Sequence, residues 1–229
     1  MKRSFDPATP ELMDRPQPVT PELVSDLRNL RQLNRHFGSY ALTTYFLRRW
    51  IQSGMRLRVL DLATGSGDIP RLVVDYARKI GATVTVDAID QQSSTLEIAR
   101  GLSADYPEID FKQDDALSFG GAGQYDIVLS SLALHHFDEA AAVRMLERCR
   151  LVSRRFVLVS DLRRGRLATV GVYLLTAFIY RDPMTKTDGR LSAARAFSFR
   201  EFRSLAERAG WRNFGHRKFR FARQAIWLE

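Results

Sequence analysis

The residues that could do chemistry begin with an acid, a turn of small residues and a second acid. Residues 59–68 read Val-Leu-Asp-Leu-Ala-Thr-Gly-Ser-Gly-Asp, so strand-type residues run into Asp61, then a small-residue loop, then a helical pattern. Small residues let the backbone come close to a ligand, and the next helix aims its unpaired N–H groups at it. Another apolar run ends in Asp90, 25 residues after Gly65. Two strand-end carboxylates flanking a glycine turn predict a nucleotide-type cofactor site.

Elements of regular structure must hold those residues. Strands read at 57–62, 83–89, 109–112, 125–131 and 155–160, with helices at about 68–80, 92–104 and 138–150 between them. Such alternation predicts a parallel sheet covered by helices on both faces. Ahead of it lies a proline-rich extended arm over residues 1–21. Thr20-Pro21-Glu22 then starts a helix with Leu23, Leu27, Leu30, Leu33 and Phe37 at helical spacing. Gly38 ends it, and a second helix runs from Ser39 towards Gly54. After Asp161 the rhythm breaks. Residues 162–197 hold an arginine cluster, an apolar aromatic helix at about 167–181 and a polar loop ending at Asp188-Gly189. Ser198 and Glu201 form a capping box for a further helix that ends at Gly210, and residues 211–228 predict a hairpin. The expected division is an arm with lid helices over 1–56 and a main domain over 57–229, with 162–197 as a substrate-side insertion.

Bulk composition narrows the function classes. The 229 residues, 45% hydrophobic, fit one globular domain of ordinary size. Cys149, the single cysteine, excludes an intrachain disulfide and is expected to be an inert packed thiol. The histidines have no zinc-type spacing, and no metal is expected. No signal peptide or membrane-length apolar run is visible, which predicts a cytoplasmic protein without stable membrane insertion. The net charge of +9 is mostly dispersed arginine and predicts a solvated basic face rather than a DNA partner.

The cofactor can be narrowed further. Gly65 and Gly67 are present, but Pro70 stands where a dinucleotide fingerprint has its third glycine. Asp61, just before the loop, suits a ligand with an ammonium group better than one with a pyrophosphate. S-adenosylmethionine (SAM) carries that ammonium, a sulfonium, a ribose diol and an adenine. The whole pattern resembles class I SAM-dependent methyltransferases, and within them a bacterial group acting on small molecules. The first motif lies at Val59–Gly67, the ribose-binding acid at Asp90, the adenine-reading segment at Gln113-Asp114-Asp115-Ala116, and the fourth-strand motif at Tyr125–Phe137. The segments Asn29–Gly38, Asp161-Leu-Arg-Arg, Asp188–Ser192 and Arg195–Phe197 resemble recurrent signatures of the narrower group. The resemblance implies a doubly wound, seven-stranded, mostly parallel α/β sheet with an antiparallel C-terminal strand, N-terminal helices and a lid inserted after the fifth strand. It implies SAM contacts from Asp61, Ala63, Thr64, Gly65, Ser66, Gly67, Asp90, Gln91, Asp114, Asp115, Ala116, Ser130 and Ser131. Ala63 stands where the family often has glycine, which is harmless provided its φ stays negative.

Methyl transfer needs the acceptor atom in line with the donor and a way to remove the acceptor's proton. His135 and His136 follow the fourth strand on the side where an acceptor would lie. On one reading, one of them takes a phenol or enol proton, since imidazole titrates in the useful range. On the other, both are structural. Arg163, Tyr173, Phe178 and Arg195 in the 162–197 insertion are the candidate substrate contacts. The expected reaction is methylation of a hydrophobic phenolic or enolic small molecule in secondary or quinone-type metabolism, O-methylation ahead of C-methylation, by a monomer or homodimer. The rivals are an RNA or protein methyltransferase, a non-catalytic SAM-binding subunit and an NAD-dependent dehydrogenase.

Overall fold

Period-two alternation sorts the strand side chains of the computed structural model onto two faces of one sheet. Residues 2–180 and 182–229 are described. The strands are β1 (Arg56–Leu62), β2 (Thr83–Asp90), β3 (Ile109–Gln113), β4 (Tyr125–Ser131), β5 (Ser153–Leu162), β6 (Gly215–Phe219) and β7 (Arg223–Leu228). They form a seven-stranded sheet in the order β3-β2-β1-β4-β5-β7-β6. The first five pair in parallel, and β7 runs antiparallel to both β5 and β6. Val59, Val86, Ile127 and Leu129 face one core, which helices α2 (Ser39–Trp50) and α3 (Asp68–Ile80) complete. Leu60, Leu62, Val128 and Val159 face the other, under α5 (Glu139–Val152) and α8 (Phe199–Arg208). Cys149 packs in this second core with its thiol pushed up to about 12 by burial, as an inert cysteine should be. Strand order reverses between β1 and β4. A doubly wound sheet opens a ligand crevice at such a point, at the carboxyl ends of the strands.

Three covers lie over that crevice. Helix α1 (Pro21–His36) starts as its sequence predicts, with Thr20 accepting from the Leu23 N–H and Pro21 in the first turn. The segment ahead of it is not free: a short 3-10 turn at Leu12–Asp14 docks on the insertion, where Asp188 accepts from the N–H groups of Leu12 and Met13. The insertion is two helices, α6 (Arg166–Phe178) and α7 (Pro183–Arg195). The predicted polar loop ending at Asp188-Gly189 is therefore a correction, since both residues lie inside α7. Asp182 caps that helix, accepting from Met184 and Thr185, and Pro183 occupies its first turn. Its inner face is polar: Thr185, Asp188 and Ser192 are buried and hydrogen-bonded to α1 and the arm, so no apolar stripe marks the helix in sequence. The capping box at Ser198 and Glu201 and the C-terminal hairpin form as expected.

Candidate active site

A cavity of about 780 Å³ sits at the strand-order reversal, roofed by the arm, α1, α6 and α7. Asp61 ends β1 inside it, fully buried, and accepts from the Thr64 hydroxyl at 2.6 Å. Burial raises its carboxyl to about 8, against the Thr64 bond and with help from the charges of Asp68 and Asp90. Asp90 ends β2 and holds the turn itself, accepting from the Gly65 N–H at 2.8 Å and the Gln92 N–H at 3.0 Å. Burial shifts Asp90 and Asp68 upward too. Gly65 has φ +54°, and a Cβ built on it would meet nothing within 4 Å, so its backbone lies open to the cavity. Gly67 is glycine for another reason. A Cβ there would come within 2.7 Å of the Phe111 ring.

Eight carboxylates line this cavity among the described residues, against the arginines Arg163 and Arg223, in a chain of net charge +9. That concentration of buried acid favours a cationic ligand. Backbone strain gathers here as well. Ala63, Leu132, Phe221 and Ala222 have φ between 53° and 58° and all line the cavity; Asn213 is the remaining positive-φ non-glycine among the described residues. The proviso that Ala63 keep a negative φ fails, because its φ is +58°.

The two histidines sit on the 3-10 turn after β4, Leu134–His136. Buried His135 is locked by Asp161 at the end of β5, which accepts from the His135 backbone N–H at 2.9 Å and contacts Nδ1 at 2.6 Å. His136 Nδ1 contacts Asp14 of the arm at 2.6 Å. Burial works against protonation of His136, but Glu11 and Asp14 outweigh it and raise the imidazole to about 10. Both Nε2 atoms lie near the carboxylate of Glu11, at 3.7 Å and 3.9 Å. Arg3 ties the arm down above them, donating to the carbonyls of His135, Phe137 and Arg195.

Most of the residues predicted to bind a cofactor line the cavity: Asp61, Ala63, Thr64, Gly65, Ser66, Asp90, Gln91, Asp114, Ala116 and Ser131, together with His135, His136 and Arg163. Others do not. Gly67 underlies the turn. Asp115 accepts from Gln91 and the Leu117 N–H, and Ser130 is buried with its hydroxyl unpaired among the described residues. Three predicted substrate contacts stand elsewhere, which is a correction. Tyr173 is 48% exposed under the Arg190 guanidinium and Phe178 is 69% exposed, because the other face of α6, with Val172, Leu175 and Thr176, lines the cavity. Arg195 is spent on the arm, donating to the carbonyls of Asp6 and Thr9. Sequence reasoning missed Glu11 and Asp14. Both lie in a proline-rich segment without periodicity, more than a hundred residues from the histidines they meet.

Comparison with known proteins matches this geometry. Residues 59–155, the span from the acid of β1 to the start of β5, match the family model described as a methyltransferase domain. Over that span, which is under half of the chain, the protein is similar to methyltransferase domains. Over 88 residues the chain is 34% identical to the 2-phytyl-1,4-naphtoquinone methyltransferase of Thermosynechococcus vestitus, a match spanning 38% of each protein. The fold is shared with a SAM-dependent methyltransferase from Aquifex aeolicus at a TM-score of 0.62 and 16% identity, covering 90% of this chain and 97% of that one. It is also shared with human N-acetylserotonin methyltransferase in complex with SAM, at 0.63 and 18% identity over 90% and 55% of the two chains. The magnesium protoporphyrin IX methyltransferase of Synechocystis with bound S-adenosylhomocysteine (SAH) gives 0.58 and 18% identity over 84% and 81%. The matched span supplies the floor of the cavity, and the arm, α1, α6 and α7 beyond it supply its roof.

Proposed function

We propose that the protein transfers a methyl group from SAM to a hydrophobic small molecule, with a phenolic or enolic oxygen as the favoured acceptor. One observation supports this reading above others: a single cavity joins the acid-and-glycine end of the sheet to an apolar roof. Leu30 and Leu33 of α1, Val172 and Leu175 of α6, and Tyr180 line the same space as Asp61 and Asp90. Its volume of about 780 Å³ falls in the range of ligand sites.

The residues fit SAM. Asp61 would face the ammonium, whose charge its carboxylate needs when ionised in a buried site. Each Asp90 oxygen holds one backbone donor and keeps a lone pair for a ribose hydroxyl. The open Gly65 backbone leaves room for close approach, and Asp114 and Ala116 would border the adenine. Asn34 Oδ1, buried on the cavity wall without a partner, awaits a donor. When bound, SAM supplies an electrophilic methyl group on a sulfonium.

The chain's own contribution is placement and handling of the acceptor's proton. Leu30, Leu33, Val172 and Leu175 would hold an apolar ring and exclude water, which strengthens polar contacts at the reacting atoms. His135 and His136 would meet the acceptor's oxygen with Nε2, because their Nδ1 atoms are engaged by Asp161 and Asp14. Arg163 lines the cavity with its Nε unpaired among the described residues, and would balance a phenolate. A relative named for a naphthoquinone substrate favours an apolar bicyclic ring and keeps carbon methylation as the second reading. The test is SAH formation from SAM with a panel of alkylated phenols, naphthols and hydroquinones. SAH release that depends on one of these acceptors is expected. SAH release with tRNA or protein but with none of them would overturn the reading.

A further inference from the structure

Three side chains that no part of the SAM site requires converge on one point of the cavity. Glu11 comes from the arm, and His135 and His136 from the turn after β4. One ligand atom from each lies within 4.8 Å of the other two. We propose that Glu11, His135 and His136 form a binding site for a divalent transition metal ion of the zinc type.

The orientation of the groups argues for an ion rather than a simple ion pair. Each imidazole spends Nδ1 on a carboxylate at 2.6 Å, His135 on Asp161 and His136 on Asp14. A metal-binding histidine is held in the same manner, with the outer carboxylate keeping the proton on Nδ1 while the entering ion displaces any proton from Nε2 and takes its lone pair. Those two Nε2 atoms point towards opposite oxygens of one carboxylate, at 3.7 Å and 3.9 Å. Such separations are too long for hydrogen bonds. They are close to the spacing of two atoms each about 2.1 Å from a shared ion. The carboxylate is oriented as well: Glu11 is 2% exposed and accepts from the Ser192 hydroxyl at 2.8 Å. Three ligands, each with an outer partner, are what a built site requires. Two imidazoles with one carboxylate select zinc or a neighbouring first-row ion over magnesium or calcium, which favour all-oxygen shells.

Charge points the same way. Glu11, Asp14 and Asp161 crowd around two imidazoles; the cations that act on them are Arg3, whose Nη2 donates to the carbonyls of His135 and Phe137, Arg195 towards Asp14, and Arg223 towards Asp161. Three protein ligands leave coordination positions free on the cavity side, so with the ion bound an acceptor's oxygen would meet the ion in place of the two Nε2 atoms. Because Glu11 belongs to the arm, the ion would also pin the arm across the cavity. The chain spacing shows none of this. Position 11 and positions 135–136 are joined only by the fold.

The site is tested on the full chain without an affinity tag, stripped with a chelator and titrated with Zn2+ and with Mn2+ by calorimetry, with thermal unfolding recorded in parallel. This readout does not depend on which acceptor is methylated, so loss of the methyl-transfer reading would leave it standing. Equimolar Zn2+ binding and a higher unfolding temperature are expected. Glu11→Gln and His136→Asn should each weaken binding at least about tenfold and remove the thermal shift. Each variant's unfolding without metal shows whether it is folded. Absence of binding, or binding that both folded variants retain at full affinity, would overturn the site and leave Glu11 and His136 as an ion pair.

Discussion

At the scale of single residues, the cofactor end of the cavity combines strain with buried charge. Ala63 occupies the left-handed region, which costs an L-residue about 1–2 kcal/mol. Ala63→Gly should therefore raise stability by about 1 kcal/mol, read as a higher urea midpoint at unchanged slope. A lower midpoint would show that the methyl group packs usefully. Asp61 makes a second prediction. Burial holds its carboxyl at about 8, so much of it carries a proton at pH 7, whereas a bound ammonium favours the carboxylate. SAM binding at pH 7 should thus release protons, seen as a binding enthalpy that varies with buffer ionisation heat, and Asp61→Asn should abolish that release. The motif around Asp61, Gly65 and Asp90 was legible because its signal is local: strand, turn and acid follow one another in the chain. The partners of His135 and His136 were not legible for the opposite reason, since Asp161, Asp14 and Glu11 reach them only through tertiary contact.

At the scale of elements, the roof decides what enters the cavity. The arm is anchored along its length, its first residues by Arg3 on three carbonyls and its later ones by Arg195 on the Asp6 and Thr9 carbonyls and by Asp188 on the turn at Leu12–Asp14. Arg3→Ala should loosen the start of the arm, increase proteolytic cutting ahead of Pro21 and raise KM for the acceptor more than for SAM. Equal proteolysis of variant and wild type would show that Arg3 is not an anchor. The helix starts read from caps form as expected: Thr20 and Ser198 each accept from the first turn of the helix they precede, and Asp138 does so at the helix read from about 138. Asp182 does the same for α7, yet that helix escaped sequence reading. Its buried side is Thr185, Asp188 and Ser192, which pair with Asp26, the arm and Glu11 instead of packing in an apolar core. Periodicity in hydrophobicity cannot reveal a helix whose inner face is polar. Helix α6 misled in another way. Its apolar residues look alike in sequence, but Val172 and Leu175 line the cavity while Tyr173 and Phe178 face outward.

At the scale of the whole molecule, the seven-stranded, mostly parallel sheet and its antiparallel last strand agree with what the resemblance implies, and the strand order emerges from the structure. The distribution of charge does not follow from composition. A chain of net charge +9 buries acids around its cavity and exposes arginine elsewhere. Three of those acids contribute to the pH response of the fold. Burial raises Asp61 to about 8, Asp26 to about 7 and Asp188 to about 6, all from 3.8. Above pH 4 the folded chain keeps protons that the unfolded chain has released, so the unfolded state binds fewer. Their contribution to stability is therefore greatest near pH 4 and falls as pH rises towards 8. Urea unfolding of the SAM-free protein across that range should show the decline, and Asp26→Asn should make it shallower. The central claim is that the acids ending β1 and β2 frame a SAM site. It is tested most directly by calorimetric titration of SAH into the wild type and Asp90→Ala. Loss of a carboxylate that accepts two hydrogen bonds should weaken binding by about tenfold or more, on the basis of ~1.5–3 kcal/mol for each charge-assisted bond. A folded Asp90→Ala variant that binds SAH as tightly as the wild type would contradict it.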